Sequence, residues 1–411
     1  MPGEPTRFLA ADAPDGFIAC QRLADALLPP PRLRALLDAV GGDPLAVFRL
    51  SLTALAAPPI LLTEKQATRL KAAASAPLPP RLLEQAKALD ATILTFRDRD
   101  YPANLLPLSD APPLLFVRGA LRPDDRFSVA IVGSRRATIY GREQSNRFAQ
   151  GLAERGLCIV SGGALGIDTS AHQGALAAGG RTIAVLGCGI DVGYPAENRA
   201  LFATVVERGG AVISEFPMGT KPEPWRFPTR NRIIAGIARA TLVVETPEAS
   251  GALITARNAA EYGRDVWVVP GAVDTGRSRG GHKLVQDGAS LADAPGDILE
   301  ALGIAPEEDV APRHTPHPKA DTPPEGFALV HDASPGTPER SSSPLPPPPL
   351  PANLSGDEAA LLPHFDLSPR HLDEASAAAG LSASQATVAA TLLEMKALIR
   401  RQPGSLFVRV L

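Results

Sequence analysis

The sequence predicts an α/β fold in which a doubly wound parallel sheet follows a small helical domain and precedes a winged helix. Three observations lead to this prediction. Apolar strand-like runs alternate with helical stretches from Val129 to about Ala294, which is the pattern of βαβ units. A region rich in Leu, Ala and Arg comes before them, and a Pro-rich stretch comes after them. With 411 residues, 45% of them apolar, the chain is long enough for two or three cores.

The first region, residues 1–115, shows the apolar spacing of helices. It contains "LADALL", "RLRALLDAVGG" and "KQATRLKAAA", and prolines at 29–31, 58–59 and 79–80 interrupt the pattern. Because proline is excluded from helix interiors, these interruptions indicate a bundle of short helices rather than a few long ones.

The second region, residues 116–300, carries the predicted sheet. Its predicted strands are five or six residues long, which is the length of buried strands in a sheet covered on both faces. The ligand crevice of such a sheet lies beyond the carboxyl ends of its strands. The six predicted strands are "SVAIVG", "CIVSG", "TIAVLG", "AVISE", "TLVVE" and "DVWVVP".

The last two regions are a linker and a small domain. Residues 301–355 include "PRHTPHPKADTPPEG" and "TPERSSSPLPPPPLP", a composition that predicts a disordered linker. Residues 356–411 contain two helical stretches, a "LSAS" turn, a longer helical stretch and two strand-like pieces around Pro403 and Gly404. This order is typical of a winged helix-turn-helix.

Composition excludes several classes of protein. A net charge of -3 argues against a protein that coats nucleic acid with its whole surface, although a local basic site remains open. Three widely separated cysteines and scattered histidines indicate no metal site. No basic-then-apolar leader is present, and no apolar run reaches the roughly 18–20 residues of a membrane span. We therefore expect a cytoplasmic protein without membrane association, metal or cofactor.

A glycine-rich loop follows the second predicted strand in "IVSGGALGID", where Ser161, Gly162, Gly163 and Gly166 precede a helix. Glycines there let the backbone approach a phosphate at a helix N-terminus. A dinucleotide-binding loop would have glycine at position 161 and an acidic residue after the next strand, and both are missing. The glycines are also compatible with tight turns alone, so the loop by itself leaves its ligand open.

Basic and aromatic residues shift the interpretation toward a nucleic acid. The first predicted strand ends at Gly133 and runs into Ser134, Arg135 and Arg136 at the expected position of the glycine loop. Between residues 216 and 239 the local charge is +4, because one glutamate, Glu223, stands against five basic residues: Lys221, Arg226, Arg230, Arg232 and Arg239. Such a cluster suits a phosphate backbone.

Two aromatic residues, Trp225 and Phe227, flank Arg226 in this basic segment. Aromatic rings stack on the bases of single strands without sequence preference, whereas a duplex hides its base faces. One or both rings also fit a role in the protein core.

Catalytic candidates are few. Asp168 and His172 are four residues apart, so they share one face of a predicted helix and fit an acid–base pair. A helix-capping Asp beside a packed His is the more common arrangement. Glu245 and Glu261 have no evident partner.

Six motifs in order resemble the bacterial DNA-processing family DprA, also called Smf, over residues 101–294. They are "VAIVGSRRATIYG", "IVSGGALGIDTSAH", "AVLGCGIDVGYPAENRALF", "ISEFPMGTKPEPWRFPTRNRIIAGIARATLVVE", "SGALITARNAAEYGRDVWVVPG" and "GHKLVQDGA". The resemblance implies an extended Rossmann-like domain that binds single-stranded DNA, forms a homodimer and loads a RecA-type recombinase in natural transformation. It implies no enzymatic activity.

The resemblance also implies which residues bind DNA. In that family the pocket comprises the arginine after the first strand, the glycine-rich loop and the basic loop before the "RNRII" helix. The corresponding residues here are Gly133, Ser134, Arg135, Arg136, Ser161, Gly162, Gly163, Gly166, Lys221, Arg226, Phe227, Arg230, Asn231 and Arg232.

The flanking domains resemble parts of some family members. The N-terminal helices look like a sterile-alpha-motif or helix-hairpin-helix domain, although "LLPPPRLR" replaces the expected glycine-rich hairpin. The C-terminal module looks like the family's winged helix. Its predicted recognition helix has no basic residue before Lys396, and residues 356–411 carry six acidic and five basic residues. Because DNA-reading helices carry Arg or Lys, we expect this module to contact protein.

Two other functions stay open as alternatives. Nucleotide-cleaving phosphoribohydrolases of the lysine-decarboxylase-like family have a similar fold and a P-G-G-x-G-T-x-x-E signature, but the matching stretch here, "PEASGALITARNAAE", lacks the paired glycines and the Gly-Thr step. A dinucleotide-dependent oxidoreductase requires the ribose-binding acidic residue that is missing.

Overall fold

In a computed structural model, the protein is described over residues 7–304, 354–365, 370–396, 398–402 and 406–409. The chain divides into two compact units, residues 1–317 and 318–411. Within the described parts, no helix is both long and apolar enough to span a bilayer.

A ten-stranded sheet organises the first unit. Its spatial order is β1-β2-β3-β7-β6-β5-β4-β8-β9-β10. The seven strands from β7 to β10 in that order are parallel, while β1, β2 and β3 add antiparallel to the edge of β7. The strands are β1 (Arg7–Leu9), β2 (Thr92–Thr95), β3 (Leu114–Gly119), β4 (Ser128–Gly133), β5 (Cys158–Ser161), β6 (Thr182–Val185), β7 (Ala211–Ser214), β8 (Ala240–Val244), β9 (Asp265–Val268) and β10 (Ser290–Leu291).

Helices cover both faces of the parallel strands. Along β4, Val129 and Ile131 belong to one apolar cluster, while Ala130 and Val132 belong to the other, as the two-residue period of a strand requires. The predicted doubly wound α/β fold is thus confirmed, and so are all six predicted strands. The helices of this part are α7 (Ile139–Glu154), α8 (Ile167–Ala177), α9 (Arg199–Glu207), α10 (Arg226–Ile237), α11 (Ala252–Glu261), α12 (Arg279–Gln286) and α13 (Pro295–Ala301).

Short helices form the N-terminal region, as expected. Several begin with proline in their first turn, where its missing N–H is not needed. Of the prolines that interrupt the helical pattern, Pro30 opens the second helix, whereas those at 58–59 and 79–80 lie between helices. The helices are α1 (Pro14–Asp25), α2 (Pro30–Ala39), α3 (Pro44–Val47), α4 (Leu52–Ala56), α5 (Glu64–Ser75) and α6 (Leu82–Ala88).

These helices share a hydrophobic core with the sheet. Phe17 of α1 and Leu36 of α2 lie in the same cluster as Phe116 of β3 and Ile213 of β7. The Gln21 side chain exchanges hydrogen bonds of 3.0 and 3.1 Å with the backbone of Met218. The predicted domain boundary at residue 115 falls inside β3. Strands β1, β2 and β3 were not predicted from the sequence.

The second unit has the predicted order of a winged helix. Its helices are α14 (Gly356–Leu361), α15 (Leu372–Ala379) and α16 (Ala383–Met395), and its sheet has the order β11 (Arg370–His371), β13 (Leu406–Arg409), β12 (Ile399–Gln402). Phe365, Leu393 and Phe407 lie in a core of their own. Gly380 ends α15 in the left-handed conformation, with φ of 68°, which glycine adopts without strain. Most of the predicted linker, residues 305–353, lies outside the described residues.

Candidate nucleic-acid interface

A cleft of about 970 Å³ opens at the carboxyl ends of β4 and β8. The chain proceeds from β4 through β5, β6 and β7 on one side and places β8 on the other, so this is the switch point where such sheets bind ligands. Seven of the residues predicted from the sequence line it: Gly133, Ser134, Arg135, Arg136, Phe227, Arg230 and Asn231.

The rest of the predicted set lies elsewhere. Gly162 lines a small adjoining pocket together with Arg135 and Phe227. Ser161 is buried in β5 and donates a 2.6 Å hydrogen bond to the carbonyl of Ile131. Neither the cleft nor the adjoining pocket is lined by Gly163, Gly166, Lys221, Arg226 or Arg232.

The glycine loop between β5 and α8 is packed tightly against its neighbours. Gly166 has φ of 81°, and a Cβ there would collide with the carbonyl oxygen of Ser134. That carbonyl accepts a 3.2 Å hydrogen bond from the amide of Ile167 at the start of α8. Glycine at 166 therefore joins the loop to the Ser134–Arg136 segment, and the tight-turn interpretation accounts for this position.

Arg230 is a buried structural cation. Its guanidinium donates to the carbonyls of Gly162, at 2.6 Å, and Val185, and its side chain is almost inaccessible to solvent. Burial lowers its pKa to about 10, and the carboxylate of Asp168 opposes that shift. Arg230 therefore holds the glycine loop in place at the floor of the cleft.

Arg232 and Arg226 are ion-paired. Arg232 donates to both carboxylate oxygens of Glu215, at 2.8 and 2.6 Å, a bidentate geometry that is strong for this pair of groups. Arg226 lies 3.3 Å from Glu223 and over the ring of Trp225. The positive charge available to a ligand here is thus smaller than the sequence count predicts.

Arg135, Arg136 and Lys221 are the exposed cations of the predicted set. Among the described residues, their side chains have no ion pair and no hydrogen bond. The Arg135 guanidinium lies 5.0 Å from the centre of the Phe227 ring, within the range of a cation–π contact. Two of these free charges therefore lie at the cleft itself.

Phe227 and Tyr194 form an aromatic pair beside Arg135. Their ring centres are 5.7 Å apart, and both residues line the cleft. The ring of Trp225, in contrast, packs edge-on against Phe216, 6.2 Å away, and does not line the cleft. Of the two aromatic residues noted in the sequence, Phe227 is thus the one at the site.

Sequence reasoning missed Tyr194, Arg277 and the environment of Glu245. Tyr194 follows the third glycine-rich loop, "GCGIDVGYP", and that loop was the only signal for it. Glu245 has partners after all: it accepts 2.8 Å hydrogen bonds from the amide and the hydroxyl of Thr138. The guanidinium of Arg277, from the loop between β9 and α12, lies 3.7 Å from Glu245.

Asp168 and His172 do not form an acid–base pair. Asp168 accepts a 3.2 Å hydrogen bond from the amide of Ala164, and burial raises its pKa, opposed by Arg230. The Nδ1 atom of His172 lies 2.7 Å from the hydroxyl of Thr182, and burial lowers its pKa to about 3. Both side chains therefore serve the packing of α8. In the described parts of the chain, no three His, Cys, Asp or Glu side chains are grouped to hold a metal ion.

Comparisons with known proteins match two family models to this chain. The family model described as DNA recombination-mediator protein A matches residues 92–303, and the model described as the DprA winged helix domain matches residues 345–405. The first match begins at the first residue of β2, so the family domain includes β2 and β3.

Individual relatives extend the match. The chain is 36% identical to Protein Smf of Synechocystis over 337 residues, which are 80% of this chain and 83% of that protein. It is 46% identical to the DNA processing protein DprA of Streptococcus pneumoniae over 202 residues, 49% of this chain and 71% of that protein. The X-ray structure of the pneumococcal protein superposes with a TM-score of 0.58 at 36% identity, covering 68% of this chain and 95% of that one. The chain belongs to the DprA (Smf) family of DNA-processing proteins.

Proposed function

We propose that this protein binds single-stranded DNA in the cleft at the ends of β4 and β8. The observation that carries the proposal is the position of Arg135: its guanidinium is exposed, free of ion pairs within the described structure, and stacked over Phe227 at the cleft. A cation beside an aromatic face matches the alternation of phosphate and base along a single strand.

The free cations would contact DNA directly, and the buried ones would position them. We assign phosphate contacts to Arg135, Arg136 and Lys221, and base stacking to Phe227 with Tyr194. The paired or buried arginines, Arg226, Arg230 and Arg232, would hold the surrounding loops. Gly133, Ser134 and Asn231 would form the wall of the cleft.

The family name supports a role beyond binding. A recombination mediator delivers a single strand to another protein, and we propose that this chain protects incoming single-stranded DNA and loads a RecA-type recombinase on it during natural transformation. We further propose that it acts as a homodimer in the cytoplasm. The three cysteines are free and buried, which suits a reducing compartment.

Binding and competition distinguish this function from a nucleotide-cleaving one. A labelled single-stranded oligonucleotide should bind more tightly than the same sequence as a duplex, and nucleoside monophosphates should not displace it at comparable concentrations. Addition of the protein should also accelerate assembly of a RecA-type recombinase on single strands covered by single-strand-binding protein. Release of free base from a nucleoside monophosphate would contradict the proposal and favour the phosphoribohydrolase alternative.

A further inference from the structure

Arg277 lies at the cleft but comes from a part of the chain far from the predicted binding segments. It belongs to the loop between β9 and α12, and its side chain is 54% exposed. The guanidinium donates a 3.3 Å hydrogen bond to the carbonyl of Arg136 and lies 3.7 Å from Oε1 of Glu245. Arg277 therefore brings a third arginine next to Arg135 and Arg136.

The carboxylate that faces Arg277 is held firmly. Glu245 is buried and adopts φ of 44°, a conformation that non-glycine residues adopt only when their surroundings enforce it. Its Oε2 accepts two hydrogen bonds from Thr138, just before α7. A side chain at position 141 would collide with this carboxylate, and the residue there is glycine. Glu245 is thus the fixed member of the pair.

The pair itself is weak. Oε1 of Glu245 has no hydrogen-bond partner within the described residues, so only the attraction across 3.7 Å links it to Arg277. At 3.7 Å the pair is too long for a hydrogen bond, and water around the half-exposed guanidinium screens its charge. A phosphate offers a guanidinium two parallel charge-assisted hydrogen bonds, and its neutralisation also releases counterions. Exchange of Glu245 for a phosphate is therefore favourable for Arg277.

We propose that Arg277 is an additional phosphate contact for single-stranded DNA. In the free protein Glu245 pairs with Arg277, and a DNA phosphate replaces Glu245 as its partner when the strand binds. This inference rests on the proposed function. Glu245 competes with the phosphate for the same guanidinium and thereby lowers the affinity of the cleft. Binding at Arg277 also extends the path of the strand from the loop after β4 toward the loop before α12.

Arg277→Ala and Arg279→Ala provide a matched comparison, because both remove one exposed arginine from neighbouring positions and only Arg277 lines the cleft. Titration of a labelled single-stranded oligonucleotide should show a several-fold loss of affinity for Arg277→Ala and none for Arg279→Ala. The slope of log affinity against log salt concentration should fall by about 0.7 for Arg277→Ala alone, the value for one phosphate on a single strand. Equal behaviour of the two variants would overturn the proposal.

Glu245→Gln tests whether Glu245 competes with DNA for Arg277, because glutamine keeps an acceptor for Thr138 but not the charge. It should raise the affinity several-fold in the natural protein and leave the affinity of Arg277→Ala unchanged. An equal rise in both backgrounds would show that Glu245 repels DNA directly and would overturn its role as a competitor. If Glu245→Gln lowers the midpoint of thermal unfolding, the titrations of Arg277→Ala and Arg279→Ala are the test of the proposal.

The two proposals fail in different ways. No binding of single strands by the natural protein would overturn both. Binding that Arg135→Ala weakens and Arg277→Ala leaves unchanged would overturn only this inference.

Discussion

Arg230 and Arg232 are two positions apart in α10, so they point to different sides of the helix and have different environments. Arg230 reaches the buried carbonyls of the sheet edge, whereas Arg232 pairs with Glu215 away from the cleft. Arg135, in a loop, keeps its charge exposed. Residue type alone therefore does not determine which arginine of a basic cluster is available to a ligand.

Arg230→Met should lower the free energy of unfolding by about 2 to 6 kcal/mol, because two buried carbonyls lose their donor at roughly 1 to 3 kcal/mol each. Arg135→Ala, which removes an exposed side chain, should change it by less than about 0.5 kcal/mol. Denaturant unfolding of both variants measures the difference. Equal stability of the two variants would contradict the structural role of Arg230.

Phe227→Ala should weaken binding of single strands by roughly 1 to 3 kcal/mol per stacked base, which is about five-fold to 150-fold in affinity. Trp225→Ala is the control, since that ring is half-exposed but lies outside the cleft. The loss of affinity should be similar for homopolymers of different bases, because stacking is tolerant of sequence. A larger loss for Trp225→Ala, measured by the same titration, would place the bases elsewhere.

His172 makes stability depend on pH. Its pKa is about 3 in the folded protein against an ordinary value of 6.5, so the unfolded chain binds more protons between these values. The contribution of His172 to the free energy of unfolding is fully present above pH 6.5. Between pH 6.5 and about pH 3 it falls by about 1.4 kcal/mol for each pH unit of acidification. His172→Asn, which keeps a donor for Thr182, should abolish this contribution. Unfolding of both proteins at pH 7 and pH 5 should show a difference of about 2 kcal/mol in pH dependence; parallel profiles would contradict the assignment.

At the scale of elements, the sequence predicted the parallel strands well because each is a short buried run followed by a glycine-rich or polar loop. It missed β2 and β3 because "TILT" and "LLFVRG" follow a long helical region and pair antiparallel, without the βα alternation that marks the others. The cleft was predictable because the ends of parallel strands meet at one edge. The position of Arg277 at the cleft was not predictable, since 141 residues separate it from the carbonyl to which it donates.

The outer face of α16 carries no basic side chain among the residues whose side chains are described. Val388 and Leu392 are exposed on it, and the Nζ atom of Lys396 lies 2.8 Å from the buried carboxylate of Glu358. Its charge is therefore used within the module. Since recognition helices need cations toward the groove, the expectation that the winged helix contacts protein stays our prediction.

Removal of residues 305–411 should leave the affinity for single strands and for duplex DNA unchanged within about two-fold, because such a factor corresponds to less than one phosphate contact. Anisotropy titrations of the full chain and of residues 1–304 at the same salt concentration make the comparison. Duplex binding that disappears with residues 305–411, or duplex binding by residues 356–411 alone at physiological salt, would contradict the prediction.

At the scale of the whole molecule, the net charge of -3 hides a local concentration of free arginine side chains. The sheet order places the loops after β4 and β8 together, so that the unpaired Arg135 and Arg136 lie at the cleft, and the loop before α12 adds Arg277, which pairs with Glu245. Elsewhere, acidic residues neutralise Arg226 and Arg232. A small number of unpaired cations at one switch point is therefore sufficient to direct a polyanion to the cleft, and the salt dependence of binding should reflect those few contacts.

The most direct test of this account is the salt dependence of single-strand binding by the natural protein and by Arg135→Ala/Arg136→Ala, followed by fluorescence anisotropy. For the natural protein we expect sequence-tolerant binding with a steep dependence of log affinity on log salt concentration. The double variant should bind more weakly, and the slope of this dependence should decrease by about 1.4, the value for two phosphates on a single strand. Equal affinity and slope for the two proteins would show that the cleft does not bind the DNA backbone.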